Sequence, residues 1–70
     1  MPGHTEETIE CLLKSLALKP DFAEAHHLVG DILDEERRLD EAVAHYREAI
    51  RYAPDNARTH GNLGDALSHM

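Results

Sequence analysis

The chain has 70 residues, which is enough for one small domain with a thin core. Its one cysteine, Cys11, excludes an internal disulfide, and its formal net charge of −7 opposes binding to nucleic acid or to an anionic membrane surface. Since the sequence has neither an apolar run of membrane-spanning length nor a signal-like N-terminus, we predict a soluble, cytoplasmic protein. A complete enzyme is not expected at this size.

Apolar residues recur with helical spacing along the chain, and no segment shows the alternation of polar and apolar residues that is typical of a strand. The spacing predicts helices near 5–18, 22–35, 40–52 and 56–68. Thr5 is expected to cap the first helix, Asp21 with Glu24 the second, and Asp40 the third. The sequence therefore predicts an all-α fold of about four helices.

An internal repeat with a period of 34 residues organises these helices. The identical pairs at this offset are Glu7/Glu41, Pro20/Pro54, Asp21/Asp55, Ala23/Ala57, His26/His60, Gly30/Gly64, Asp31/Asp65 and Leu33/Leu67. The repeat places a turn within 34–40, although this segment contains no Gly, Pro or Asn and consists mostly of good helix formers.

The residue order resembles that of the tetratricopeptide repeat (TPR) family, whose pattern is Trp-x2-Leu-Gly-x2-Tyr, then Ala-x3-Phe, then Pro. The corresponding residues here are His26-x2-Val29-Gly30-x2-Leu33, Ala42-x3-Tyr46, Ala49 and Pro54, and the pattern restarts as His60-x2-Leu63-Gly64-x2-Leu67. Arg37 stands where the family commonly has a turn glycine, and a left-handed backbone at a non-glycine residue costs on the order of 1 kcal/mol.

The resemblance implies antiparallel helix pairs arranged as an α-solenoid, a slice of a right-handed superhelix. It divides the chain into a second-helix half repeat at 1–22, a complete repeat at 23–56 and a first-helix half repeat at 57–70. Two half repeats around one complete repeat suggest a segment of a longer array.

The resemblance also implies a protein–protein interaction module without catalytic activity, whose first helices line a concave groove for a peptide or a partner helix. Transferred by position, the groove residues are Glu24, His27, Leu28, Asp31, Glu35, Arg58, Gly61, Asn62 and Asp65. Because this face is acidic except for Arg58, we predict a partner that carries Lys or Arg. Capture of a C-terminal carboxylate, which needs several basic residues on this face, is disfavoured.

Histidines raise the possibility of a metal site, because His27 and Asp31 lie four residues apart and Asp65 could supply a third ligand. Such pairs are also common on ordinary helix surfaces, so we predict neither a metal nor another cofactor. His26 and His60, at the family's Trp positions, are interpreted as partly buried packing residues.

The terminal helices predict self-association, because each lacks a helix that a longer array would supply. The residues expected to be exposed for this contact are Ile9, Leu12, Leu13, Leu16, Leu63 and Leu67. Contact between the fourth helix of one copy and the first helix of another gives open head-to-tail stacks. Two alternatives stay open: a dimer in which 34–40 straightens and helices exchange, and a slice of the TPR region of a larger bacterial transferase-like protein.

Overall fold

The computed structural model describes the backbone of residues 2–70 and the side chains of residues 6–70. Within these residues it has no strand and four helices, which are α1 (Pro2–Leu18), α2 (Ala23–Glu35), α3 (Leu39–Tyr52) and α4 (Ala57–Ser68). The predicted all-α fold is confirmed, and all four helices end at the predicted residue. None of the helices in this range is both long enough and apolar enough to cross a membrane.

The helix starts differ from the predicted caps. Helix α1 begins three residues earlier than expected, so Thr5 lies within it, and the Thr5 side chain lies outside the described residues. The N-caps of α2 and α3 are Phe22 and Arg38, and neither makes a side-chain capping hydrogen bond. Asp21 therefore does not cap α2, and Asp40 lies in the first turn of α3, where its negative charge still opposes the positive end of the helix dipole.

The turn between α2 and α3 is a Schellman motif. The backbone N–H of Arg38 donates to the Leu33 carbonyl over 2.9 Å, and that of Arg37 donates to the Asp34 carbonyl over 3.0 Å. Arg37 has a φ of 64°, in the left-handed region that favours glycine. The turn is thus present at the position that the repeat requires, although its own residues favour a continuous helix.

The core is centred on the contact between α2 and α3 and extends to both terminal helices. Its buried members are Leu16, Ala25, Val29, Leu33, Ala42, Val43, Tyr46 and Ala66. The closest approach is at Gly30, where an added Cβ would lie 2.6 Å from the Tyr46 ring. A glycine is required here because the aromatic ring occupies the space of a side chain.

Helices α2 and α4, which are equivalent in the 34-residue repeat, make equivalent hydrogen bonds but have different neighbouring helices. His26 Nε2 lies 2.9 Å from the Pro20 carbonyl oxygen, and His60 Nε2 lies 2.9 Å from that of Pro54. Helix α2 packs between α1 and α3, whereas α4, its repeat equivalent, packs mainly against α3. His26 is therefore buried as expected, but His60 is exposed, because no helix in the described part of the chain covers the corresponding face of α4.

Candidate interaction surface

One face of α2 and the equivalent face of α4 form the surface that we name the α2–α4 face. Residues 24, 28, 31 and 35 follow one another at helical spacing on α2, and 58, 61, 62 and 65 do so on α4. The predicted groove residues that are exposed on this face are Glu24, Leu28, Glu35, Arg58, Gly61 and Asp65.

Beneath the α2–α4 face lies a polar cluster, the Asp31 network, formed by His27, Asp31, Tyr46, Thr59 and Asn62. Asp31 Oδ1 accepts hydrogen bonds from Tyr46 Oη over 2.6 Å and from Asn62 Nδ2 over 2.8 Å. His27 Nδ1 and Thr59 Oγ1 are hydrogen-bonded over 2.8 Å. The network therefore joins α2 to α3 through Tyr46 and to α4 through Thr59 and Asn62.

His27 does not line the surface, contrary to the expectation from sequence, because its side chain is only 1% exposed. The ring lies between α2 and α4, with its centroid 5.8 Å from that of Tyr46. His27 Nε2 is 3.1 Å from Asp31 Oδ2, but no hydrogen bond joins the two atoms. Asp31 and Asn62 are half-buried, and Asp31 Oδ1 and Asn62 Nδ2 are hydrogen-bonded within the protein.

A family model for the TPR repeat matches residues 30–70, which include part of α2 and all of α3 and α4. The chain belongs to the TPR repeat family. TPR repeats are helical protein–protein interaction modules and are generally non-catalytic. A comparison with curated proteins gives no match.

Several charged side chains of this TPR face have no ion-pair partner among the described residues. Glu24, Glu35 and Asp65 form no ion pair with any residue that the structure describes, and neither does Arg58. Below them, burial and the hydrogen bond to Asp31 raise the pKa of Tyr46 far above its usual value. The raised pKa favours the neutral hydroxyl, which is the form that donates to Asp31 Oδ1.

The described residues do not bring His27 and Asp31 together with a third candidate ligand. His27 Nδ1 is occupied by Thr59, and Asp65 lies exposed on α4. Among the described residues there is no group of three or more His, Cys, Asp or Glu side chains arranged to hold a metal ion.

The residues predicted for self-association divide into three classes. Leu16 is buried in the core, so its predicted exposure is wrong, because α2 packs over this part of α1. Ile9, Leu12 and Leu63 are half-buried against the core, and Leu13 and Leu67 are exposed.

The role of Thr59 is not among the predictions from sequence. Its repeat equivalent is Ala25, and both residues are buried. A hydroxyl that replaces a buried methyl group requires a hydrogen-bond partner. That substitution within the repeat was the available signal for a polar contact to α4.

Proposed function

We propose that this TPR unit binds a peptide or partner helix that presents Lys or Arg side chains to the α2–α4 face. The observation that supports this most directly is the hydrogen bond from Asn62 to Asp31, which holds the two exposed stripes next to each other. On this proposal, residues 23–56 are the complete repeat, and 1–22 and 57–70 are its half-repeat neighbours.

The chemistry of the exposed side chains supports a cationic partner. Glu24 and Glu35 lie on either side of Leu28 along α2, and Asp65 lies on the neighbouring stripe. The aliphatic part of a Lys or Arg side chain packs on leucine while its charged end pairs with a carboxylate. Arg58 is available to pair with an acidic group of the same partner. This second contact would determine the direction in which the partner lies along the face.

We expect a peptide of alternating Lys and Ala to bind with micromolar or weaker affinity, because the surface is small. A matched Glu-Ala peptide should not bind, and added salt should weaken the Lys-Ala complex because the charges are exposed. Titration followed by fluorescence anisotropy at low and high salt measures both effects.

Two double variants with the same net charge test the location of the site. Glu24→Gln with Asp65→Asn should weaken binding about three- to tenfold, since exposed ion pairs are each worth about 0.2–1 kcal/mol. Glu10→Gln with Asp55→Asn, which lie on α1 and in the turn before α4, should leave the affinity close to that of the original protein. Equal losses in both variants, or preference for the Glu-Ala peptide, would contradict the proposed surface.

A second candidate function is head-to-tail self-association, and Gly64 is the observation that favours it. Gly30 is covered by the Tyr46 ring, but at its repeat equivalent, Gly64, no described atom outside its own helix lies within 4 Å of the position of a Cβ. In the same way Leu33 is 3% exposed and its equivalent Leu67 is 45% exposed. This face of α4 thus has the residues of a helix-packing surface, and no helix among the described residues lies on it.

The occupant that fits this face is α1 of a second copy, because α1 is the repeat equivalent of α3. Leu12 of α1 occupies the position of Tyr46, and Ser15 occupies that of Ala49. Both residues are half-buried, whereas Tyr46 and Ala49 are buried, and the Tyr46 ring packs against Gly30 of α2. We therefore expect α4 to pack against α1 of the next copy in the same way that α2 packs against α3.

Leu13 and Leu67 provide a matched pair of variants, since each side chain is 45% exposed. Leu67→Glu should abolish concentration-dependent association, because a charge would be buried at the position equivalent to Leu33. Leu13→Glu should leave the association unchanged, because the repeat equivalent of Leu13, Arg47, is exposed in the complete repeat. Sedimentation over a range of concentrations measures both.

A monomeric mass at high micromolar concentration would exclude self-association altogether. Association that survives Leu67→Glu would exclude the stacked contact and indicate exchange of α2 and α3 between copies. The Schellman hydrogen bonds of the 36–38 turn oppose that exchange, since they would be lost if the segment became helical.

A further inference from the structure

Two histidines from different helices of the complete repeat face one another. His26 Nδ1 on α2 and His45 Nδ1 on α3 are 3.3 Å apart, whereas the ring centroids are 5.5 Å apart. The two nitrogens are therefore the nearest parts of the rings and point toward each other. This is the arrangement of a hydrogen bond between the nitrogens, in contrast to two lone pairs that converge on a metal ion at an angle.

The Pro20 carbonyl determines which nitrogen carries each proton. A carbonyl oxygen only accepts, so His26 Nε2, at 2.9 Å from it, must be the N–H donor. In the neutral ring His26 Nδ1 is then an acceptor, and His45 Nδ1–H must donate to it. The result is a chain of two hydrogen bonds that connects the turn before α2, helix α2 and helix α3.

The surroundings of the pair contain several charged groups. On α3, Glu41 and Glu48 raise the pKa of His45, but burial, the largest effect, and the proximity of His26 lower it below 6.5 overall. The Tyr52 ring stacks on His26 with centroids 6.0 Å apart, and the Arg51 guanidinium lies 5.5 Å from the Tyr52 ring.

On the turn before α2, the Lys19 ammonium lies over the Phe22 ring, at 5.5 Å from its centroid. It is thus engaged within its own turn. The charged groups that act on His45 are therefore His26 and the two glutamates of α3.

We propose that the His26–His45 pair is a pH-sensitive connection between α2 and α3, which holds while at most one excess proton is bound and breaks when both rings are protonated. With one excess proton, one Nδ1 still accepts the hydrogen bond. With two excess protons, both Nδ1 atoms carry hydrogen, so neither can accept the hydrogen bond. The two positively charged rings then also repel each other at close range. This inference is independent of the peptide and self-association proposals, because it concerns the interior of one repeat.

The direction of the pH effect follows from proton linkage. In the unfolded chain each histidine titrates near its ordinary pKa of about 6.5, but in the folded chain the pKa of His45 lies lower. Below about pH 6.5 the unfolded state thus binds more protons, so the stabilising contribution is complete above that pH and is lost as the pH falls. Each unit by which the pair's second pKa is lowered corresponds to a tenfold loss in the folding equilibrium constant.

The repeat offers a matched control for the test. His45→Asn keeps an N–H near the position of Nδ1 but does not titrate, so the decrease in stability between about pH 8 and about pH 5 should become shallower. His60→Gln also removes one histidine and keeps a donor for the Pro54 carbonyl, but no hydrogen bond or ring contact joins His60 to another described histidine. This control should retain the original slope. Urea denaturation followed by circular dichroism at several pH values measures both slopes.

Long-range ¹H–¹⁵N spectra of the unmodified protein provide a second, independent readout. They should show His26 protonated at Nε2 and His45 at Nδ1 near neutral pH, and the pKa of His45 should lie below 6.5. An unchanged slope in His45→Asn, an equal loss of slope in His60→Gln, or the opposite tautomer at His26 would each overturn the proposal.

Discussion

Gly30→Ala is expected to lower the free energy of unfolding by about 2 kcal/mol, because overpacking a filled core costs about 1–3 kcal/mol. A Cβ at this position would lie 2.6 Å from the Tyr46 ring, which is fully buried between α2 and α3 and cannot move outward. Tyr46 also donates to Asp31, so a displaced ring would lengthen that hydrogen bond. Urea denaturation followed by circular dichroism measures the change.

Gly64→Ala is the matched control, since it makes the same substitution at the equivalent residue of α4. With no described atom outside its own helix within 4 Å of the new Cβ, only helix propensity acts, and stability should rise by about 0.5–1 kcal/mol. Both measurements belong at low protein concentration, so that association does not contribute. Effects of the same sign at the two glycines would contradict the packing of α2 against α3 described above.

Asp31→Ala is expected to lower the free energy of unfolding by about 3 kcal/mol, because hydrogen bonds to a charged group contribute about 1.5–3 kcal/mol each. The variant removes the acceptor for both Tyr46 Oη and Asn62 Nδ2. It also leaves the Tyr46 hydroxyl, on a fully buried side chain, without its acceptor. Chemical denaturation at neutral pH measures the loss.

Asp65→Ala controls for the change in helix propensity, because it makes the same substitution at the repeat-equivalent, exposed residue. Its effect should stay within about 0.5 kcal/mol, as is usual for surface sites. Combining Asp31→Ala with Tyr46→Phe should cost less than the sum of the two single changes, since both remove the same hydrogen bond. Strict additivity would contradict the network.

The positions of the helices could be predicted from the sequence because they depend on local spacing and on the repeat. The turn at Arg37 shows how much the repeat contributed, since local propensity alone favours a continuous helix through it. The caps could not be predicted as reliably. Asp21 and Asp40 are suitable capping residues by type, but the paths of the turns place Phe22 and Arg38 at the N-cap positions instead.

The sequence by itself determined the all-α fold and the 34-residue repeat, because both follow from residue type and spacing along the chain, and its residue order resembles that of the family to which the chain belongs. Only the tertiary structure decided which side of each helix meets a neighbour. His27 is buried because α4 lies beside α2, and Leu16 is buried because α2 covers α1. A helical pattern specifies the angle between side chains on one helix, whereas burial depends on where the other helices lie.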